Sequence, residues 1–186
     1  MSATAGTTWR WKAGPFERAG EAGVFGDARC ELIDGEVRVM SPQSPLHARV
    51  LDVLTRALAS VPAEYVARAQ APVRLTEDTE LEPDILIATG PRERYDRRHP
   101  GPEDILLIVE VSVSSLGFDA GEKLRVYARR SLPQVWVIDA NRRQIVAYSS
   151  PEPDRGTYAS AEIHSTGTLA AFGLEVTLDG LWPAEA

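Results

Sequence analysis

Ile105-Leu106-Leu107-Ile108-Val109 is an unbroken apolar run that ends on a carboxylate, Glu110. An apolar stretch without alternation marks a strand covered on both faces, so the chain needs a sheet with further layers against it. An ionised carboxylate buried without a partner costs more than one domain can offset. Glu110 must therefore meet a cation, a metal or water where the sheet ends. Asp84 raises the same demand. It follows Pro83, which cannot donate to a sheet ladder and suits the beginning of a strand, and it leads into Ile85-Leu86-Ile87.

The rest of the chain supplies the layers. Residues 30–40 alternate around Asp34-Gly35, a strong turn dipeptide, and predict a β-hairpin. Ser44-Pro45 then offers a capping hydroxyl before a residue that needs no helical N–H. Leu46, Val50, Val53, Leu54, Ala57, Leu58 and Val61 follow at helical spacing, which predicts a helix of about four turns. Strands are expected over 65–75, 84–88, 105–112, 135–139, 144–149 and 158–164, with a β-rich tail closing at 178–182. One helix interrupts them. Asp119-Ala120-Gly121-Glu122 has the spacing of a capping box, and Ala120, Leu124, Tyr127 and Ala128 form an apolar face through Arg130. The order is hairpin, helix, three strands, helix, strand and tail, so the expected class is α/β with a mixed sheet flanked by helices.

At 186 residues, with no repeat or low-complexity linker, the chain is expected to form one domain over 14–186 behind a loose tail, 1–13. Fractions of 44% hydrophobic and 25% charged residues exclude collagen-like, disordered and membrane-spanning classes. No apolar run approaches the ~18 residues of a membrane helix, and the N-terminus lacks a basic region followed by an apolar one. Cys30 is the single cysteine, so any metal must use oxygen or histidine ligands, and a reducing cytoplasm is the expected setting. A net charge of −7 argues against a broad, non-specific nucleic-acid surface but leaves room for local ones. Arg92, Arg94, Arg97, Arg98 and His99 form one basic cluster, and Arg125, Arg129 and Arg130 another. Both are candidates for phosphate contact, and both also read as ordinary solvated faces.

If Asp84 and Glu110 end adjacent strands, their like charges come within a few ångströms and require a cation between them. A hard divalent ion such as Mg²⁺ meets that need, since it is commonly held by one or two carboxylates with waters and phosphate oxygens. Lys123 lies beside the apolar stripe of the following helix, and its stem can cross the sheet edge to bring an ammonium to the acids. A purely structural alternative remains open, in which Glu110 and Lys123 form a buried ion pair and Asp84 caps a turn. Trp136 sits at strand spacing beside Val137-Ile138 and reads as core. Trp9 and Trp11 fit either a partner or the chain's own surface.

Several of these residues also stand in a recognisable order. Glu31-Leu32-Ile33-Asp34-Gly35, His47 at the opening of the first predicted helix, Pro83-Asp84, Glu110-Val111-Ser112, Asp119 with Lys123 and Tyr127, and Leu132-Pro133-Gln134-Val135-Trp136-Val137-Ile138-Asp139 together resemble the Uma-two family of endonucleases. That family is part of the PD-(D/E)XK nuclease superfamily. Each motif alone is weak; six in the right order, covering most of the chain, are specific. The resemblance implies a restriction-endonuclease-like core of helix, three strands, helix and strand. It implies Asp84 and Glu110 as ligands of Mg²⁺ or Mn²⁺, with the main-chain carbonyl of Val111 as a further ligand. Ser112 departs from the superfamily pattern, which has lysine there, and Lys123 on the following helix is the matching substitute. His47, Glu31, Gln70 and Asp119 are secondary candidates: His47 to support a ligand or contact a phosphate, Glu31 leaning toward the site from the hairpin, Gln70 lining it from the first core strand, and Asp119 as a cap.

The implied reaction is metal-assisted hydrolysis of a nucleic-acid phosphodiester, with DNA the expected substrate and a homodimer a possible assembly. Two other classes stay open, since fold alone does not establish activity. One is a nucleic-acid-binding module that keeps the fold without cutting, which the acidic charge and Ser112 allow. The other is an assembly protein that dimerises through its β-rich tail.

Overall fold

The computed structural model describes residues 8–113 and 118–183, which divide into two compact units. The first comprises the described residues up to Ser41 together with Arg74–Leu81. It contains helix α1 (Ala13–Glu21), the hairpin β1 (Cys30–Ile33) and β2 (Glu36–Val39), strand β4 (Val73–Thr76) apart from its first residue, and strand β5 (Thr79–Leu81). Its sheet runs β2-β1-β5-β4. The predicted hairpin turn is present, with Asp34 and Gly35 both at positive φ, 48° and 79°. Glycine is required there, because a Cβ on Gly35 would stand 2.8 Å from Cβ of Arg10.

Helix α1, absent from the sequence expectations, buries Ala13 and Phe16 against Leu32, with Trp11 and Phe25 at the margin. Residues 8–12 carry no regular element but make several contacts. The Trp11 amide donates to the Gly35 carbonyl at 2.9 Å, Arg10 pairs with Glu36 at 2.8 Å, and the Trp11 ring packs edge-on against Phe25. Trp9 is 77% exposed, so the two tryptophans do not form an exposed pair.

The second unit holds a six-stranded sheet in the order β10-β9-β8-β7-β6-β3. Its strands are β3 (Tyr65–Ala69), β6 (Ile85–Thr89), β7 (Ile105–Ser112), β8 (Gln134–Asp139), β9 (Gln144–Glu152) and β10 (Thr157–His164). β7 and β8 pair in parallel, and the other neighbours are antiparallel. A parallel pair needs a crossover, and the chain makes it through a wide helical turn, Phe118–Lys123, that runs into helix α3 (Leu124–Arg129). The apolar run of β7 is buried along nearly its whole length, as its composition requires.

Helix α2 (Pro45–Ala57) begins as predicted, with the Ser44 hydroxyl accepting from the His47 amide at 3.2 Å. Its Val50, Leu51 and Leu54 pack in one cluster with Ile85, Ile87, Leu107, Val109, Val111, Trp136 and Ile138. Trp136 is core, as its spacing indicates. A mixed α/β sheet flanked by helices, with the helix, three strands, helix and strand in the expected order, is therefore the fold.

Three local expectations are corrected. The stretch 65–75 is two strands in two different sheets, because Gln70 turns the chain at φ 47°. The first long helix ends at Ala57, and Leu58–Ser60 tighten into a 3₁₀ turn. The tail contains the hairpin β11 (Thr168–Ala171) and β12 (Leu174–Thr177), and it closes in a helical turn, α4 (Leu178–Leu181), where a strand was expected. Leu174, Val176, Leu178, Leu181 and Trp182 join the α2 cluster, so burial in that core decides the form of a segment whose local pattern is ambiguous. No helix among the described residues is long and apolar enough to cross a membrane.

Candidate active site

Pro83 holds the chain extended and lets Asp84 stand just outside β6, where Ile85 is the first strand residue and pairs with Val109 of β7. One step further along the same antiparallel register, Asp84 faces Glu110. The sheet has already lost its ladder there, and the Asp84 side chain takes the place of a strand: Oδ2 accepts from the Val111 amide at 2.8 Å. A strand residue sends its N–H and C=O toward the same neighbour. The Val111 carbonyl therefore also points to the β6 side, beyond the end of β6 and toward Asp84. Asp84, Glu110 and Val111 each carry, at this end of the sheet, an oxygen of the type a hard cation prefers.

The carboxylates are held by opposite helices. Asp84 Oδ2 also meets His47 Nε2, 3.1 Å away, from the first turn of α2. Glu110 is 3% exposed, and its Oε1 accepts from Lys123 Nζ at 3.3 Å and from the Tyr127 hydroxyl at 2.5 Å. Lys123, the last residue of the wide turn, and Tyr127 of α3 are four residues apart, so the two donors reach one oxygen from the same side. The ion pair is buried on both sides, and a lone buried ammonium or carboxylate would cost several kcal/mol, about 3–5 for removal of one partner.

Buried polar atoms without a protein partner gather on the elements around this site. His47 Nδ1, Gln70 Nε2 and Ser112 Oγ are such atoms. Gln70 sits at the bend after β3, where its amide donates to the Asp84 carbonyl at 3.0 Å. Ser112 is two residues beyond Glu110 and so on the same face of β7. Each orphaned group carries a desolvation penalty of about 1–3 kcal/mol that water or a bound ion's hydration shell would relieve. The donor set and these orphans fit a hydrated divalent metal.

Of the sequence candidates, Asp84, Glu110, Val111, Lys123, His47, Gln70 and Ser112 all lie at or beside this sheet end. Glu31 is buried in β1 of the other unit, and the side chain of Asp119, with its expected cap, lies outside the described residues. From the sequence, Tyr127 reads as part of an apolar face and as a companion of Asp119 and Lys123 in the family resemblance, with no role of its own at the site. Its position four residues after Lys123 is the signal that it shares the same target.

The first basic cluster is largely engaged within the protein. Arg98 makes a bidentate contact with buried Asp104 at 2.6 and 3.1 Å, Arg94 reaches the same carboxylate at 3.3 Å, and Arg68 and Arg98 both stack on Tyr95. Arg92 and Arg97 are left exposed there, as are Arg125 and Arg129 on α3.

Residues 21–181 match the model of the Uma2 family, whose description is "Putative restriction endonuclease". The fold is similar to a crystal structure from Anabaena variabilis described as "a putative nuclease belonging to DUF820". The TM-score is 0.65 at 14% sequence identity, over 84% of this chain and 90% of that one. No curated protein matched the sequence.

Proposed function

This chain belongs to the Uma2 family, and from that premise we propose that it is an endonuclease that hydrolyses phosphodiester bonds, with DNA as substrate and Mg²⁺ or Mn²⁺ as cofactor. Asp84, Glu110 and the Val111 carbonyl would hold the ion. When bound, such an ion neutralises charge on phosphoryl oxygens and lowers the pKa of water. The observation that carries the proposal is the Asp84–Val111 bond, because it fixes a carboxylate on the main chain of β7 one residue beyond Glu110.

The chain's own residues account for the remaining roles. Asp84 is oriented by His47 and the Val111 amide, and Glu110 by Tyr127 and Lys123. Lys123 takes the place of the lysine that Ser112 lacks, and its ammonium would orient the attacking water or meet the phosphate. In the reaction water forms a bond to phosphorus while the bond to the sugar oxygen breaks. The water gives up a proton, and the sugar oxygen gains one.

The test is incubation with supercoiled plasmid and with single-stranded DNA in Mn²⁺ or Mg²⁺, beside Asp84→Ala and Glu110→Ala. Loss of cleavage in both variants is the expected result, and cleavage that persists in them refutes the assignment. A second reading, a nucleic-acid-binding protein that does not cut, is favoured by the contact of Lys123 with Glu110 in place of a free ammonium. Binding of DNA with no dependence on Mn²⁺ and no product would support it.

A further inference from the structure

We propose that Tyr127 is the positioning residue that allows Lys123 to leave Glu110 and act on substrate, an inference that rests on the metal-site reading above. The Tyr127 hydroxyl, from α3, and the Lys123 ammonium, from the end of the wide turn that runs into it, donate to the same atom, Glu110 Oε1. They are not equivalent donors. The hydroxyl is at 2.5 Å and the ammonium at 3.3 Å. A hydroxyl–carboxylate bond that short is the stronger kind, and the ammonium is the looser of the two.

Tyr127 is fully buried, which holds its ring in place, whereas Lys123, the last residue of the wide helical turn, carries its ammonium on a long stem with several rotatable bonds. If Lys123 swings toward a phosphate or a water, Oε1 keeps its hydroxyl donor. Glu110 then keeps a donor on that oxygen and holds one rotamer. Without the hydroxyl, the ammonium is the remaining one of these two donors and is retained on the carboxylate, where it competes with a metal ion for the same oxygens.

The consequence separates the two donors by experiment. Mn²⁺ binding is measured by electron paramagnetic resonance and calorimetry on the full chain for the wild type, Tyr127→Phe and Lys123→Met, with cleavage at saturating Mn²⁺ alongside. Tyr127→Phe is expected to weaken Mn²⁺ binding about tenfold or more, the usual scale for a partner that orients a metal ligand. It is also expected to lower kcat at saturating Mn²⁺ while leaving the KM for DNA unchanged. Lys123→Met is expected to keep wild-type Mn²⁺ affinity or exceed it while losing cleavage.

A merely structural tyrosine would lower the melting temperature without this split. Wild-type Mn²⁺ affinity in Tyr127→Phe overturns the inference. If that variant does not fold, Lys123→Met decides: a tenfold loss of Mn²⁺ affinity there would show that the ammonium, not the hydroxyl, holds Glu110. Failure of the wild type itself to bind Mn²⁺ is a different result, which removes the metal-site reading and this inference with it.

Discussion

Asp84 and the main chain of Val111 are joined by a hydrogen bond of 2.8 Å in which a carboxylate stands in for the missing end of a β-strand. One side chain thus completes the sheet and presents an acid at its edge. The two tasks separate by substitution. Asp84→Ala leaves a buried amide without an acceptor and is expected to cost about 1–3 kcal/mol of stability as well as all cleavage. Asp84→Asn retains an acceptor oxygen but no charge. It is expected to melt near the wild type in urea while cutting plasmid at least about a hundredfold more slowly, and rapid cleavage by Asp84→Asn would remove Asp84 from the site.

Ser112 occupies the strand position two beyond Glu110 with a buried hydroxyl that has no protein partner. Deleting an unsatisfied polar group does not carry the usual penalty of losing a hydrogen bond. Ser112→Ala is therefore expected to leave folding stability unchanged or raise it by up to about 1 kcal/mol, read from urea denaturation. A loss above about 2 kcal/mol would mean that the hydroxyl is bonded within the protein.

Asp104 anchors the arginine-rich loop. Burial opposes its charge, but the bond from Arg98, the Gly101 amide and the charges of Arg98 and Arg94 outweigh that effect and hold the carboxyl below its ordinary value of 3.8. A carboxyl depressed in the folded state adds stability that is complete above its unfolded pKa and lost as pH falls through the folded one. Acid titration of the wild type should show this loss below about pH 4, and Asp104→Asn should lack it. Arg98→Ala is expected to cost about 1–3 kcal/mol at neutral pH, with Arg94 and the Gly101 amide keeping part of the interaction.

Glu80 on β5 behaves in the opposite sense. It shares Arg74 with Glu17 of α1, at 2.8 Å from Arg74 Nη2 to Glu80 Oε2. Burial raises its carboxyl from 4.5 to about 7; Arg74 opposes the shift and the neighbouring Glu17 charge adds to it. The folded state then holds this proton more tightly than the unfolded chain does. Its contribution is full below the unfolded pKa and declines as pH rises toward 7. Between about pH 5 and 8 the melting temperature of Glu80→Gln should fall less than that of the wild type. Parallel curves for the two proteins would contradict the assignment.

The acids and the strands that carry them were legible in the chain because their signals are local. Five apolar residues without alternation, too few for a helix of usual length, suit a covered strand, a proline before an acid suits a strand's beginning, and Ser44-Pro45 is a local helix start. The bend at Gln70 was not legible, since 65–75 reads as one extended pattern and only the pairing of its halves in separate sheets requires the turn. Helix α1 and the closing turn of α4 were hidden for a related reason: their form follows from burial against Leu32 and against the α2 cluster, partners distant in sequence.

What the sequence by itself determined is which residues carry charge into a buried strand end, because desolvation acts on a residue type wherever it is enclosed. What only the tertiary structure decided is who answers each charge. That Asp84 meets His47 and the Val111 amide, and that Glu110 meets Tyr127 with Lys123, depends on the register of β6 on β7 and on the turns by which α2 and α3 approach. A hydrogen bond is won within a few tenths of an ångström, and such distances are set by packing, not by spacing along the chain.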